Sequence, residues 1–236
     1  MSTRRCLSFL VAAVVIAAAS PSFAQTRRPY NPDPNTLRLR IGQFEPDGDS
    51  QYWDQREIDF TGSADDFEDT IFGVDYTRML SERFGVLVSA SRYEGSSRAA
   101  FLDFEDPFGF DIVHDTTLEI TQLDLGLVFH LLRRDAVVSP YIGGGIGFYG
   151  YDLEESGEFI DFDGGFDIFE GTFTDDGNAV GAFFLVGIEI PITEQIGVFG
   201  EGRWHSVEDE LGGDFDAFGD IDLGGTELAA GVSFRF

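Results

Sequence analysis

The sequence predicts an all-β protein: an eight-stranded antiparallel up-and-down β-barrel whose strands cross a bilayer. Three observations predict it. Apolar residues recur at every second position in eight separate runs, the mark of strands with two unlike faces. The connections between the runs alternate between short and long, as in barrels with tight turns on one membrane side and loops on the other. The last run, "TELAAGVSFRF", alternates up to Phe236. A strand with no polar tail needs something to hold its last residue, since loose ends fray.

The chain opens "MSTRRCLSFLVAAVVIAAASPSFAQT". Arg4 and Arg5, an apolar run from Leu7 to Ala19 and small residues up to Ala24 have the three-part layout of a secretory signal peptide over residues 1–24. The apolar run is too short to span a membrane as a helix. Cys6 is the only cysteine and falls inside that segment, so neither a disulfide framework nor thiol chemistry is expected. Residues 25–36, Pro-containing and polar, are expected to form a loose periplasmic lead.

The barrel is expected over residues 37–236. Its eight runs are Leu37–Phe44, Ile71–Leu80, Phe84–Tyr93, Thr117–Leu132, Pro140–Tyr151, Ala179–Ile192, Ile196–His205 and Thr226–Phe236. Most have about ten residues or more, the length of a tilted strand crossing a bilayer. Ser81–Arg83, Arg133–Ser139 and Thr193–Gln195 are short turns. Glu45–Thr70, Glu94–Asp115, Asp152–Gly177 and Ser206–Gly225 are expected as four long extracellular loops.

Alternation assigns the faces. In the last run Leu228, Ala230, Val232, Phe234 and Phe236 oppose Glu227, Ala229, Gly231, Ser233 and Arg235. In the fourth, Leu123, Leu125, Leu127 and Phe129 oppose Gln122, Asp124, Gly126, Val128 and His130. One face suits lipid; the other carries charge of both signs. Backbone groups in lipid must all be paired, so the sheet has to close and the first strand must pair with the last.

An eight-stranded barrel is only just wide enough for its inward side chains to fill it. The predicted lumen holds Arg38, Arg40, Asp75, Gln122, Asp124, Glu189, Glu201, Arg203, Glu227 and Arg235. Acids and arginines roughly balance, which reads as an internal ion-pair network replacing water, with His130 and His205 towards its ends. A gated or narrow channel is the alternative. The glycines of "IGGGIG" are expected to make room for large neighbours or to bend the sheet.

The net charge is −28, with no Lys, and 33 of the 43 acids lie in the four long connections, against Arg56 and Arg98 there. Such a chain repels nucleic acid. Phe alternates with acid in "FLDFEDPFGFDI" and "EFIDFDGGFDIFEG", which could carry the hairpins above the membrane as an acidic, aromatic rim. Carboxylates are good ligands for Ca²⁺ or Mg²⁺, but no loop has an ordered ligand spacing. Divalent cations at the acidic loops are therefore an expectation about partners, with no metal-ligating residues assigned and no cofactor expected.

"GRWHSVEDE" places His205 and Ser206 before Glu208, Asp209 and Glu210. Ser, His and an acid could make a hydrolase, but neighbouring strand residues point to opposite faces. No catalytic residues are assigned.

The ending "LAAGVSFRF", with "PYIGGGIGFYGYDLEE" and "GVFGEGRWHSVEDE…TELAAGVSFRF", resembles the small outer-membrane β-barrel domain family, the group around outer membrane proteins A, X and W. The resemblance covers about residues 37–236. It implies a Gram-negative outer-membrane location with both termini periplasmic. Gly231, Phe234 and Phe236 would form the signal read by the barrel assembly machinery, and lipid and lipopolysaccharide would surround the wall. A structural or surface-interaction role is expected. A narrow passage for small or apolar solutes is the alternative, and a lipid A-modifying hydrolase, which the His205–Ser206 pair departs from by lacking a spacer, is a third. The acidic loops are longer than the family's compact members need.

Overall fold

The computed structural model describes residues 34–134, 136–162 and 164–236. The predicted signal peptide, most of the lead and Cys6 lie outside the described residues. Eight long strands follow in order: β1 (Asn35–Pro46), β2 (Asp69–Met79), β3 (Phe84–Glu105), β4 (Asp111–His130), β5 (Ser139–Asp161), β6 (Asp167–Pro191), β7 (Ile196–Ser206) and β10 (Gly225–Arg235). They form one closed antiparallel barrel in the ring order β1-β10-β7-β6-β5-β4-β3-β2. β8 (Glu208–Glu210) and β9 (Asp220–Asp222) form a small separate sheet between β7 and β10.

β1 closes the ring against β10, in register from Thr36↔Arg235 to Pro46↔Gly225. The Phe236 N–H donates to the Asn35 carbonyl at 3.1 Å, and the Phe236 carbonyl accepts from the Asn35 N–H at 3.2 Å. The last residue is thus held by two ladder bonds. β1 starts at Asn35, two residues inside the stretch expected as lead.

The outward face is apolar. Leu39, Ile41, Phe72, Leu123, Leu127, Phe148, Val186 and Phe234 stand exposed on it. Large apolar side chains arrayed in this way around a closed wall fit hydrocarbon. Among the described residues no helix is long and apolar enough to cross a membrane.

Two of the four expected loops are corrected. Residues 94–105 and 111–115 continue β3 and β4, and residues 152–161 and 167–177 continue β5 and β6. β5 and β6 have 23 and 25 residues, about 75–80 Å along the strand. A bilayer needs only about 9–11. Alternation of apolar and polar residues ends where the outward positions turn acidic, but the ladder continues. Polar outward residues suit a strand that has left the lipid.

The wall is therefore uneven. β2–β3 pairing stops at Ile71↔Tyr93 and β6–β7 pairing at Ala182↔Ser206, whereas β5–β6 pairing continues to Asp161↔Asp167. β3–β6 rise as a four-stranded blade with an apolar inner face, which must be covered. Two connections fold inward to cover it. The first carries helix α1 (Gln51–Asp59) and a 3₁₀ turn (Ala64–Phe67); the second carries β8, β9 and a 3₁₀ turn (Gly213–Phe218). A nine-residue helix is marginal alone. α1 is held by burying Tyr52, Trp53 and Arg56.

Candidate functional site

The interior has two zones. The zone nearest the short turns is polar. All ten lumen residues named from sequence lie inside the barrel, with Arg235 on its rim. Arg40 donates to both Glu227 carboxylate oxygens at 2.6 and 2.8 Å and lies 3.4 Å from Asp75. Arg203 donates to Asp75 at 2.8 Å and to Glu201, and lies 3.7 Å from Asp124. Glu189 accepts from Arg38 at 2.9 Å and Arg235 at 2.6 Å. Gln122 accepts from Ser91 at 3.0 Å rather than joining the charged pairs.

Some members were not legible in sequence. Ser89 accepts from Arg40 at 3.2 Å and from Arg203 at 2.9 Å, bridging the two arginines. Ser233 donates to Glu189 at 2.8 Å, and the Tyr141 hydroxyl donates to Glu201 at 2.7 Å. Arg134, read as part of a turn, folds back under the barrel; it donates to Thr36, and its carbonyl accepts from Arg235 at 3.1 Å. The doublet Arg133–Arg134 in a short turn was the only signal. Five arginines then face five acids. Glycines make the space: a Cβ on Gly73 would stand 2.2 Å from Arg40 Nε, and one on Gly187 would stand 2.4 Å from the Tyr141 ring. Gly147, from "IGGGIG", makes room in the same way for Tyr149 and Asp124.

His130 is bonded to Ser139 at 3.0 Å near the turns. His205 points inward, 3.0 Å from the Tyr149 hydroxyl and 3.8 Å from Glu227, while Ser206 is exposed on the opposite face. The structure does not bring that Ser and His together.

Above the charged zone the interior is apolar. Phe44, Trp53, Phe67, Tyr93, Leu118 and Ile221 pack with Tyr52, Tyr149, Phe215 and others into one buried cluster across the barrel mouth. The Trp53 indole N–H donates to the Asp222 carbonyl at 3.3 Å, tying one inward connection to the other. From sequence these connections are expected as long extracellular loops with an acidic, aromatic rim. Their apolar residues follow no period-two pattern, which is why the cap went unseen.

Between this cap and the blade lies a cleft of about 320 Å³. Nine phenylalanines line it, among them Phe60, Phe159, Phe173 and Phe218. On one wall lies a buried polar knot in which Arg56 uses Nη1, while its Nε and Nη2 are buried without a hydrogen-bond partner. Glu155 accepts from Tyr52 at 2.8 Å and from Arg56 at 2.9 Å, and Arg56 also donates to Thr116 at 2.9 Å. Arg56 is 2% exposed. The only arginine on the cleft is therefore neutralised by Glu155, whereas Asp59, Asp103 and Asp214 line it and are exposed. Behind the blade wall His114 is enclosed by Phe60, Phe101 and Phe159 at ring distances of 4.5, 6.1 and 5.3 Å. Burial, helped by the nearby Arg56 charge, pushes the His114 imidazole down to about 4.

Apart from the buried Glu155 and Asp175, a line of blade acids faces outward. Glu94, Glu119, Asp152 and Asp176 stand directly opposite one another across β3, β4, β5 and β6, a row of four like charges just above the apolar band. Arg92 alone joins the row, 2.5 Å from Glu119. Among the described residues no group of three or more His, Cys, Asp or Glu is arranged to hold a metal ion.

A family model described as the outer membrane protein beta-barrel domain matches residues 9–236. No curated protein sequence matches the chain. Among solved structures, the chain is similar to the outer membrane protein OprG from Pseudomonas aeruginosa, with 14% identity, 86% of this chain and 95% of that one covered, and a TM-score of 0.55. It is also similar to Neisserial surface protein A, with 11% identity, 88% and 100% covered, and a TM-score of 0.52. At such identities the likeness is one of fold.

Proposed function

Because the chain belongs to the outer membrane protein β-barrel domain family and is thereby an outer-membrane β-barrel, we propose that it acts as a closed, structural barrel presenting its blade and cap for surface interaction. One observation carries this reading: the lumen is filled along its length, first by buried ion pairs and then by the aromatic cap. An open pore needs a continuous hydrated path, and an eight-stranded wall encloses too little room to bypass such packing. In this reading the blade faces outside and the short turns face the periplasm. Residues 1–24 serve as the export signal, and Gly231, Phe234 and Phe236 as the assembly signal. Hydrolysis of lipid A is not part of the reading, since Ser206 and His205 occupy opposite faces; His205→Ala is expected to leave lipid A acylation unchanged.

The test is single-channel conductance of the refolded chain in a planar bilayer. A silent barrel that still shows the heat-dependent gel shift of a folded β-barrel is the expected result. Discrete, reproducible current steps would overturn the reading and put a narrow passage in its place.

A further inference from the structure

We propose that the cleft between the cap and the blade is a binding site for a hydrophobic organic cation, one whose charge is quaternary or delocalised and whose body is apolar. The argument starts from the walls. Phe60, Phe159, Phe169, Phe173, Phe215 and Phe218 line a space of about 320 Å³, large enough for a small aromatic or branched-alkyl ligand. Phe159 and Phe173 meet edge to face with centroids 4.8 Å apart. The faces of such rings carry negative potential and attract cations, most strongly when water is displaced.

Charge selects the sign. Arg56 is buried and already bound by Glu155 at 2.9 Å. Asp59, Asp103 and Asp214 line the cleft as exposed carboxylates, Asp214 accepting from the Thr174 backbone N–H at 3.0 Å. The surrounding protein adds to this, with a formal net charge of −28. An anion entering would meet three exposed carboxylates, while the one arginine of the lining, Arg56, is 2% exposed and has its charge paired with Glu155.

Chemistry then narrows the cation. Ca²⁺ and Mg²⁺ need about six or more oxygen ligands in one shell, and no such cluster is present among the described residues. A primary ammonium would lose hydration that phenylalanine walls cannot replace, and an unmatched polar group in an apolar site is costly. A quaternary or delocalised cation is weakly hydrated, has no N–H to satisfy and fills apolar volume.

The site rests on the reading above only in placing the cleft on the outer surface. It does not require the lumen to be closed. The experiment uses the full chain in zwitterionic nanodiscs, where both faces are open to solution. Binding of benzyltrimethylammonium is measured calorimetrically beside benzyl alcohol and benzenesulfonate, with empty nanodiscs subtracted. The expected result is saturable binding of the cation, at least about tenfold weaker binding of the alcohol and none of the sulfonate. Phe218→Ala is expected to weaken the cation by roughly tenfold, and the triple change Asp59→Asn, Asp103→Asn, Asp214→Asn by a similar factor that shrinks in high salt. The three aspartates are exposed, so the triple variant keeps its fold even if the phenylalanine variant does not; the gel shift checks both. No saturable binding, equal binding of the alcohol, or an unchanged affinity in the folded triple variant would each overturn the proposal. A barrel that conducts and still binds the cation overturns the closed-lumen reading alone. A silent barrel that fails to bind it overturns this one alone.

Discussion

Arg203 has no side-chain atom left in water and meets three acids, Asp75, Glu201 and Asp124, from strands β2, β7 and β4. Buried charges of this kind are held by one another: removing one partner leaves the others desolvated and unpaired, at a cost of about 3–5 kcal/mol. Arg203→Met is therefore expected to lower the unfolding free energy of the refolded barrel by that amount, seen as a lower urea midpoint. Arg203→Lys should recover only part, since an ammonium cannot reproduce the planar fork. A midpoint unchanged in Arg203→Met would contradict the network. His114 makes a different residue-scale prediction. Its folded pKa of about 4 lies below the ordinary value of 6.5, so the fold favours neutral imidazole. The stability this supplies is fully present above pH 6.5 and is lost as pH falls towards and through 4, up to about 3 kcal/mol. Hydrogen-exchange protection factors, corrected for the intrinsic pH dependence, should fall in the upper parts of β4 and β5 across that window, and His114→Phe should abolish the change. Alternation told which way Arg203 points. It could not tell which acids receive it, because partners such as Arg38 and Glu189 stand 151 residues apart.

At the scale of elements, the blade carries a built-in repulsion. Asp152 stands between Glu119 and Asp176 on neighbouring strands, and like charges directly opposite destabilise a sheet by a few tenths to about 1 kcal/mol. Asp152→Asn is expected to stabilise the blade by about 0.5 kcal/mol at low ionic strength, seen as slower exchange in β5. The gain should vanish in 1 M salt, where exposed charges are screened. Slower exchange that persists unchanged in high salt would mean that something other than charge is at work. The strands are the most legible elements because a period of two is local. Their upper ends lack the apolar–polar signal because the outward residues change from apolar to acidic where the strand leaves the lipid, while the inward residues Ile112, Leu153 and Phe159 stay apolar and buried. Helix α1 was not foreseen: nine residues with two adjacent aromatics show no periodic stripe.

For the whole molecule, the barrel and its cap are held by different forces and should separate under mutation. The wall is held by closed ladders, including β1 against β10. The cap is held by apolar packing centred on Trp53, which is 1% exposed and touches Tyr52 and Phe67. Trp53→Ala should cost the cap about 3–5 kcal/mol. Limited proteolysis should then cut within residues 47–68 while the heat-dependent gel shift of the barrel remains. Equal protection of that segment in the variant and the parent would show that the cap does not depend on this packing.

The amino-acid sequence by itself determined the strands, their two faces and the closure of the sheet, because alternation is a local pattern and unpaired backbone in lipid is too costly to leave open. Within the membrane-spanning part of the strands it also pointed charged residues such as Arg40, Asp75 and Arg203 inward, but not Arg56, Arg134 or Glu155. The tertiary structure alone decided which of those charges meet, that β3–β6 rise as a blade, and that two acidic connections fold back to plug the mouth and frame a phenylalanine-lined cleft. Those features come from contacts between segments far apart in the chain, such as Trp53 with Asp222 and Arg56 with Glu155. No periodicity within either segment encodes them; they exist because an apolar inner face left standing above the membrane has to be covered.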